Sequence, residues 1–231
     1  MTKYDFVEIG TSMFDTEIEK ESALQTEGKP TRRGLSVEPM SIYLDKLPDV
    51  STVTKVNCAV GYERGQFEIF YLDPALIERH FPGKENQWLY GVNSISKPQV
   101  ELELFVSNHS KQIPELKISS KLVEVVTFEE LARKWQISEI GYLKIDTEGM
   151  DLKILASMLN YWWALGDNAD SRNALFKLPR LIRFERNHSS VKLGYLNLLM
   201  CDLVNIVYVL FTVGYRIVEN DLMSNDLVVA L

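Results

Sequence analysis

The chain has 231 residues, 46% of them hydrophobic, and a formal net charge of −7. This length and apolar content suit one α/β domain, residues 1–231, with a sizeable core. The excess of acidic residues, which gives a pI near 5.1, argues against a nucleic-acid partner, because binding nucleic-acid phosphates requires a concentrated basic surface.

The location of the chain is inferred from its cysteines and apolar segments. Cys58 and Cys201 lie far apart within apolar stretches, so we expect buried thiols in a reducing, cytoplasmic compartment. The first residues have no basic region followed by a long apolar run, which a secretory signal would need. Residues 193–215 are long enough to cross a membrane but include Asp202. Because an Asp at the centre of a span costs about 2.5–3.5 kcal/mol, we expect a helix packed on a sheet.

Strands and helices alternate along the chain. Apolar runs bounded by Gly or Pro predict strands, and apolar residues spaced by three and four predict helices. In chain order the predicted elements are strand 4–10, helix 13–24, strand 34–38, helix 41–47, strands 52–60, 67–72, 100–106 and 122–126, a helix from 127 that ends before 138, strand 142–146, helix 152–163, strand 181–184, helix 193–215, and a hairpin of 215–218 with 227–231. Thr127 is the predicted N-cap of its helix, with Glu130 as capping-box partner.

Alternation of this kind requires crossover connections between parallel strands. We therefore expect an α/β fold with a doubly wound, mostly parallel seven-stranded sheet. Helices would cover both faces, as in Rossmann-like folds, and an antiparallel strand pair would lie at the C-terminus. The irregular segment 82–98 is either a substrate loop or a plain connection.

Four acidic residues follow apolar strands, and ligands of open parallel sheets bind beyond such strand ends. They are Glu8, Glu38, Asp146 and Glu185. Glu8 precedes a small-residue turn, Gly10-Thr11-Ser12, which lets a ligand approach backbone N–H groups. A nicotinamide-binding turn would have three glycines, whereas residues 10–15 contain one. Glu38 is placed either to accept hydrogen bonds from ribose hydroxyls or to remain a solvated acid at a strand end.

Asp146 and Glu148 lie two residues apart on a predicted tight turn. This spacing suits a general base for a hydroxyl or oxygen ligands for a divalent metal. Alternatively, the two acids complement a helix dipole. Glu185 and His188 are candidate helpers, as orienting groups or, for Glu185 with Asp146, as metal ligands.

The aromatic residues of the irregular segment suggest an acceptor. Trp88 and Tyr90 are candidates to stack on a sugar ring, since an aromatic face matches the apolar side of a pyranose. The alternative is that Trp88 only anchors the loop.

Residues 123–155 resemble the hallmark region of the FkbM-type methyltransferases, in which a strand and a short helix lead to a Lys-Ile-Asp-x-Glu-Gly turn, here residues 144–149. FVEIGTS (6–12) resembles the first cofactor motif of that family, LSVEP (35–39) its ribose-binding strand end, and VNCAVG (56–61) its adenine-side strand. WLYGVNSISKP (88–98) is similar to a Gly-x-x-Ser stretch of some members. Phe14 stands where the family usually has a second glycine.

The resemblance implies a class I methyltransferase fold with S-adenosylmethionine as cofactor and S-adenosylhomocysteine as product. It also implies roles for individual residues. Glu8, Gly10, Thr11 and Ser12 would hold the methionine end, Glu38 with Pro39 the ribose, Cys58 with Ala59 the adenine, Asp146 would lie beside the transferred methyl group, and Asn93 and Ser94 would join the substrate side.

The function expected from this combination is O-methylation of a hydroxyl, with a sugar or glycan as acceptor. One alternative is a binding module that has kept the fold and lost catalysis, suggested by Phe14. A second, less favoured, is a nicotinamide-dependent oxidoreductase. Because the first strand begins almost at Met1, we also expect a domain excised from a longer polypeptide, next to a glycan-building domain.

Overall fold

The computed structural model describes residues 1–13, 15–95, 98–166, 170, 172, 175–185, 203–220 and 226–231. Its strands are β1 (Thr2–Ile9), β2 (Gly34–Val37), β3 (Val53–Val56), β4 (Ala59–Gly61), β5 (Gly65–Tyr71), β6 (Ser94–Ile95), β7 (Ser119–Thr127), β8 (Ile137–Ile145), β9 (Leu181–Glu185), β10 (Arg216–Asn220) and β11 (Asp226–Ala230). Its α-helices are α1 (Glu17–Thr26), α2 (Ser41–Leu44), α3 (Pro74–His80), α4 (Val100–His109), α5 (Phe128–Lys134), α6 (Asp151–Ala164) and α7 (Leu203–Thr212), with a 3-10 helix at Lys84–Tyr90.

The main sheet has seven strands in the order β10-β11-β9-β8-β1-β2-β3. The five strands from β9 to β3 are parallel, while β11 is antiparallel to β9 and β10 to β11. The expected mostly parallel sheet and its C-terminal antiparallel pair are therefore present. The strand order reverses between β1 and β8, and a reversal of this kind opens a crevice at the carboxyl ends of the strands.

Strand register places the ends of the three central strands side by side. Ile9 of β1 is opposite Val37 of β2 and Ile145 of β8. The backbone N–H of Gly10 donates to the carbonyl of Val37 at 2.9 Å, and the N–H of Asp146 donates to the carbonyl of Ile9 at 3.0 Å. The residues after these strands consequently meet at one edge of the sheet.

The core lies around the central strands. Side chains of β1 and β8 are buried, including Phe6, Val7 and Leu143, none of which has measurable exposure. Helices α5 and α6 add Phe128 and Leu155, which are also fully buried in the same cluster. Central strands of a parallel sheet are apolar because they are covered, and this burial fixes the position of the residues at their ends.

A second sheet, of four strands in the order β4-β7-β5-β6, lies between β3 and β8 in the sequence. The predicted strand 52–60 was therefore wrong in part, since it divides into β3 of the main sheet and β4 of the second. The division falls at Asn57, whose side-chain amide donates to the carbonyls of Glu38 and Pro39 at 2.9 and 3.0 Å. These bonds fasten the chain where it leaves the main sheet.

The predicted strand 100–106 was wrong, because this segment is helix α4. Apolar residues stand at every second position here, at Val100, Leu102 and Leu104. A period of two is typical of a strand. In the structure Leu102 is buried, Val100 and Leu104 are each 59% exposed, and Phe105 and Val106 pack beside Leu102. Spacings of three and four thus define the buried face, as in a helix.

The first helix begins later in the chain than predicted. Helix α1 begins at Glu17, with Thr16 and Glu19 forming its capping box, because Ser12 and Asp15 have positive φ angles of 50° and 51°. Left-handed residues cannot continue a helix. The capping box of Thr127 and Glu130 is present as predicted.

The apolar segment 193–215 is described only from residue 203. Its described part contains α7, and residues 193–202 lie outside the described part of the chain. Among the described residues, no helix has both the length and the apolar character needed to cross a bilayer.

Candidate functional site

A cleft lies at the carboxyl ends of β1, β2 and β8. The second sheet contributes Ile69 and Ile95 to the lining of the cleft, and Gly91, which follows the 3-10 helix, lies in the same lining. Predicted site residues that line the cleft are Gly10, Ser12, Glu38, Pro39, Cys58, Ala59, Asn93, Asp146 and Glu148. The register of the central strands therefore brings together residues far apart in the sequence.

The turn after β1 depends on Gly10. This residue has a φ of +83°, and a Cβ there would lie 2.0 Å from the carbonyl oxygen of Asp146. Only glycine combines a left-handed φ with so close a backbone approach. Two residues on, the Ser12 N–H donates to Glu38 Oε2 at 2.8 Å, and its hydroxyl donates to the carbonyl of Tyr90 at 2.9 Å. Ser12 thus contacts both walls of the cleft.

The Glu38 carboxylate is buried at the end of β2. Its Oε1 accepts from the Met40 N–H at 2.8 Å, in addition to the bond from Ser12 to Oε2. Burial raises the pKa of Glu38 to about 7, although the two N–H donors oppose this change. A carboxylate oxygen has two lone pairs, so each oxygen can accept a further hydrogen bond from a ligand.

The wall beside Glu38 is apolar. Cys58 and Ala59 are buried, and Met150 lines the same cleft. Burial raises the pKa of the Cys58 thiol to about 11, which keeps it protonated and unreactive. A flat apolar group would find contacts here without a charged neighbour.

The turn after β8 is held by Asp151, which is fully buried. Its Oδ1 accepts from the Glu185 N–H at 3.1 Å, and its Oδ2 accepts from the Thr147 N–H at 3.1 Å and from the Thr147 hydroxyl. Glu148 has a positive φ of 52°, and Gln99 Nε2 donates to its carbonyl at 2.9 Å and to its carboxylate at 3.3 Å. Asp151 and Gln99 therefore fix the acidic turn from opposite sides.

Three carboxylates converge at this turn. One oxygen each of Asp146, Glu148 and Glu185 lies within 4.8 Å of the others. Partial burial, and then Glu185 and Asp146, raise the pKa of Glu148 to about 8. Partial burial also raises the pKa of Asp146, against the opposing charge of Lys144. The cluster can hold a shared proton or a cation.

Comparison with protein families matches the methyltransferase FkbM domain over residues 12–207. The chain belongs to the FkbM methyltransferase family. The matched segment contains Ser12, Glu38, Asp146 and Glu148 of the cleft. Comparisons with curated proteins and with solved structures found no match.

Some predicted residues of the FkbM domain lie elsewhere. Among the described residues, Glu8, Thr11, Trp88, Tyr90 and Ser94 do not line the cleft. Thr11 is 2% exposed, and its hydroxyl has no hydrogen-bond partner in the described part of the chain. Ser94 is buried in β6. Phe14 and His188 lie outside the described residues.

The aromatic residues of the irregular segment have structural contacts. Trp88 packs edge-on against Phe105, with 5.6 Å between ring centroids, and is 38% exposed. Tyr90 packs edge-on against Tyr43 and provides a carbonyl to Ser12 and to the Asn93 amide. Sugar stacking by Trp88 and Tyr90 stays a prediction.

Sequence reasoning did not assign separate roles to Lys144, Asp151 and Gln99. A signal existed for Lys144, because a charged residue within an apolar strand must find a partner in the core. Asp151 carries a weaker signal, as an acid at the start of a helix. Gln99 carries none, because its contact joins segments 49 residues apart.

Proposed function

We propose that this FkbM domain is an S-adenosylmethionine-dependent O-methyltransferase whose acceptor is a sugar hydroxyl. The observation that carries the proposal is the convergence of the Gly10 turn, the Glu38 carboxylate and the Asp146 carboxylate on one cleft. The strand order of the main sheet supports the doubly wound, class I arrangement, in which a ligand occupies the crevice where the order reverses.

The cleft residues fit the cofactor. Each oxygen of the buried Glu38 can accept one further hydrogen bond, which suits the two hydroxyls of a ribose. Cys58 and Ala59 offer an apolar surface for an adenine, and the Gly10 turn gives the methionine end close access to backbone.

Charge favours this cofactor over a dinucleotide. The ionisable side chains among the described lining residues are acids and Cys58, and no Lys or Arg is among them. A pyrophosphate would be repelled by the negative charge that these acids carry when ionised, whereas a sulfonium cation would be attracted to that charge and would favour their ionised forms. This argues against the nicotinamide alternative.

S-adenosylmethionine supplies an electrophilic methyl group when bound. The task of the protein is to align a hydroxyl oxygen with it and to accept the hydroxyl proton. Asp146 is the proposed proton acceptor, because it ends β8 and its half-exposed carboxylate opens into the cleft. Glu148 and Glu185 are proposed to orient the acceptor or to share the proton, and His188 is a further candidate helper.

A divalent cation is a second way to use the same acids. Asp146, Glu148 and Glu185 each present a carboxylate oxygen to a common point, and oxygen ligands of this kind suit Mg²⁺ or Mn²⁺. Such an ion would lower the pKa of a bound hydroxyl. Methyl transfer measured after EDTA treatment, and again after Mg²⁺ or Mn²⁺ is restored, distinguishes this arrangement from a metal-free general base.

A neutral, hydroxyl-rich acceptor follows from the charge of the cleft. A phosphate or carboxylate beside the reacting hydroxyl would be repelled by the negative charge of the acidic turn. A neutral sugar carries no charge that would be repelled. The side chain of Asn93, an amide, also lines the cleft. A panel of neutral and phosphorylated sugars, assayed for transfer of a labelled methyl group, tests this choice, and exclusive methylation of phosphorylated acceptors would contradict it.

Calorimetric titration tests the cofactor assignment. We expect heat of binding with S-adenosylmethionine and S-adenosylhomocysteine and none with NAD, and the reverse pattern would refute the proposal. Binding without transfer to any acceptor would favour the inactive-module alternative.

Replacement of Asp146 with Ala tests the proton acceptor. We expect methyl transfer to fall by about 10²–10⁴-fold with little change in cofactor affinity. Asp49→Ala, which removes an acid that is 98% exposed, is the matched control and should retain activity. Full activity of the Asp146 variant would remove this residue from the mechanism.

A further inference from the structure

A buried ion pair lies beneath the cleft. The Lys144 side chain is 4% exposed, and that of Glu8 has no measurable exposure. Lys144 Nζ donates to Glu8 Oε1 at 3.0 Å, while Glu8 Oε2 accepts from the Glu17 N–H at 3.0 Å. The resemblance implied that Glu8 holds the cofactor, yet its side chain is fully buried and does not line the cleft.

The Lys144 ammonium contacts three parts of the site. Besides Glu8, it donates to the carbonyl of Asp15 at 2.8 Å and lies 3.8 Å from Asp146 Oδ2. Asp15 ends the turn that contains Gly10 and Ser12, and Asp146 begins the acidic turn. One ammonium group therefore contacts the cofactor turn and the proposed proton acceptor at the same time.

Stability alone does not explain such a pair. Replacing a buried ion pair with apolar residues of similar volume is often neutral or stabilising, because desolvation offsets the attraction. Removing a single partner is strongly destabilising, because it leaves a buried charge without compensation. Stabilisation of the fold is therefore not by itself a sufficient reason for an ion pair at this position.

We propose that Lys144 is a positioning residue, held by Glu8, that fixes the Asp146 carboxylate and the cofactor turn relative to each other. Glu8 acts on the site through Lys144 and does not contact the cofactor. The part of this inference that concerns turnover rests on the proposed function, whereas the part that concerns the two turns does not.

A pair of variants distinguishes a positioning role of Lys144 from a contribution to the stability of the fold. We expect Lys144→Met to lower the urea midpoint of unfolding, and the double variant Glu8→Leu/Lys144→Met to return it close to that of the wild type. In this double variant kcat should still fall by about 100-fold, since misplaced catalytic groups cost rate. A double variant with both wild-type stability and wild-type kcat would overturn the proposal.

Amide hydrogen exchange of the same double variant gives a readout that needs no activity. The Ser12 N–H bonds to Glu38 and the Thr147 N–H bonds to Asp151, so we expect both to exchange about tenfold faster than in the wild type, as locally loosened turns do. The amides of Val7 and Leu143, within the strands, should be unchanged. Unaltered exchange at both turns would refute the positioning role, even if the wild type proves to bind no S-adenosylmethionine.

Two further variants complete the design. Glu21→Leu/Arg32→Met removes the ion pair of Arg32 Nε with the buried Glu21 Oε1, at 2.6 Å. It also removes the pair of Arg32 with Glu17, whose other carboxylate oxygen keeps its pair with Lys20. This variant should leave kcat and turn exchange unchanged. Glu8→Gln keeps an oxygen for Lys144 but sets an amide NH2 group against the Glu17 N–H, which donates to Glu8 Oε2 at 3.0 Å, so we expect faster exchange of the Ser12 and Thr147 amides and a lower kcat, both to a smaller extent than in the double variant. If the double variant does not fold, this variant decides, because a large loss of cofactor affinity with unchanged turn exchange would return Glu8 to direct contact with the cofactor.

Discussion

Replacing Gly10 with Ala inserts a methyl group where two strand ends meet. The new Cβ would lie 2.0 Å from the Asp146 carbonyl oxygen and 2.8 Å from its carbonyl carbon, at a φ of +83°. A left-handed conformation costs a non-glycine residue about 1–2 kcal/mol and overpacking adds about 1–3 kcal/mol, so the free energy of unfolding should fall by roughly 2–5 kcal/mol. The overlap is with backbone of the paired strands, which cannot move as a flexible side chain can.

Gly28 provides the matched control. It also has a positive φ, of 68°, but an added Cβ would meet no atom within 4 Å. Gly28→Ala should therefore lose only about 1 kcal/mol, because the φ penalty is partly offset by a less flexible unfolded chain. Urea unfolding followed by Trp fluorescence measures both variants. Equal losses would show that the contact between Gly10 and Asp146 is not tight, and would refute the account of the cofactor turn.

Three further predictions concern Glu38, Thr127 and Thr11. Because burial raises the pKa of Glu38 from 4.5 to about 7, the folded protein keeps a proton that the unfolded chain releases, and the free energy of unfolding should fall by roughly 3 kcal/mol as pH rises through that window. In urea unfolding measured at several pH values, the free energy of unfolding of Glu38→Gln should fall less with pH, by that amount. If the pH profiles of the variant and the wild type were parallel, the raised pKa of Glu38 would be contradicted. Thr127→Ala should lower the free energy of unfolding by about 1 kcal/mol, measured in the same way, because it removes a side-chain cap of α5; an unchanged midpoint would argue that the cap is not formed. Thr11→Val should raise the free energy of unfolding by about 1 kcal/mol, because it replaces a buried hydroxyl that lacks a partner among the described residues, and a loss of stability would indicate a hydrogen bond that the structure does not contain.

The parts of the fold that the sequence predicts are those set by local pattern. The central strands are rich in apolar residues, and Thr127 and Glu130 form their capping box from residues three apart. The convergence of Glu38 and Asp146 also follows from sequence, because both end parallel strands. Burial and chain direction are sufficient for these inferences.

The parts that the sequence does not predict depend on tertiary context. The sequence pattern around Leu102 is compatible with both a strand and a helix. Tertiary packing favours the helix, because Phe105 and Val106 pack in the same cluster as Leu102. The turn at Asn57 depends on carbonyls of another strand end. Lys144 was visible as a charge within an apolar strand, but its partners at Glu8 and Asp15 are more than a hundred residues away.

The segment that forms the second sheet is inserted in the chain between two strands of the main sheet, β3 and β8. Among the described residues, β4 to β7 pair only with one another, and the chain departs after β3, the outermost strand on that side. The pairing of Ile9 with Val37 and with Ile145 involves no residue of this insertion. Under the proposed function, variation in the insertion would change the part of the cleft formed by Ile69 and Ile95, and it would reach the adenine side as well, because Ala59 belongs to β4.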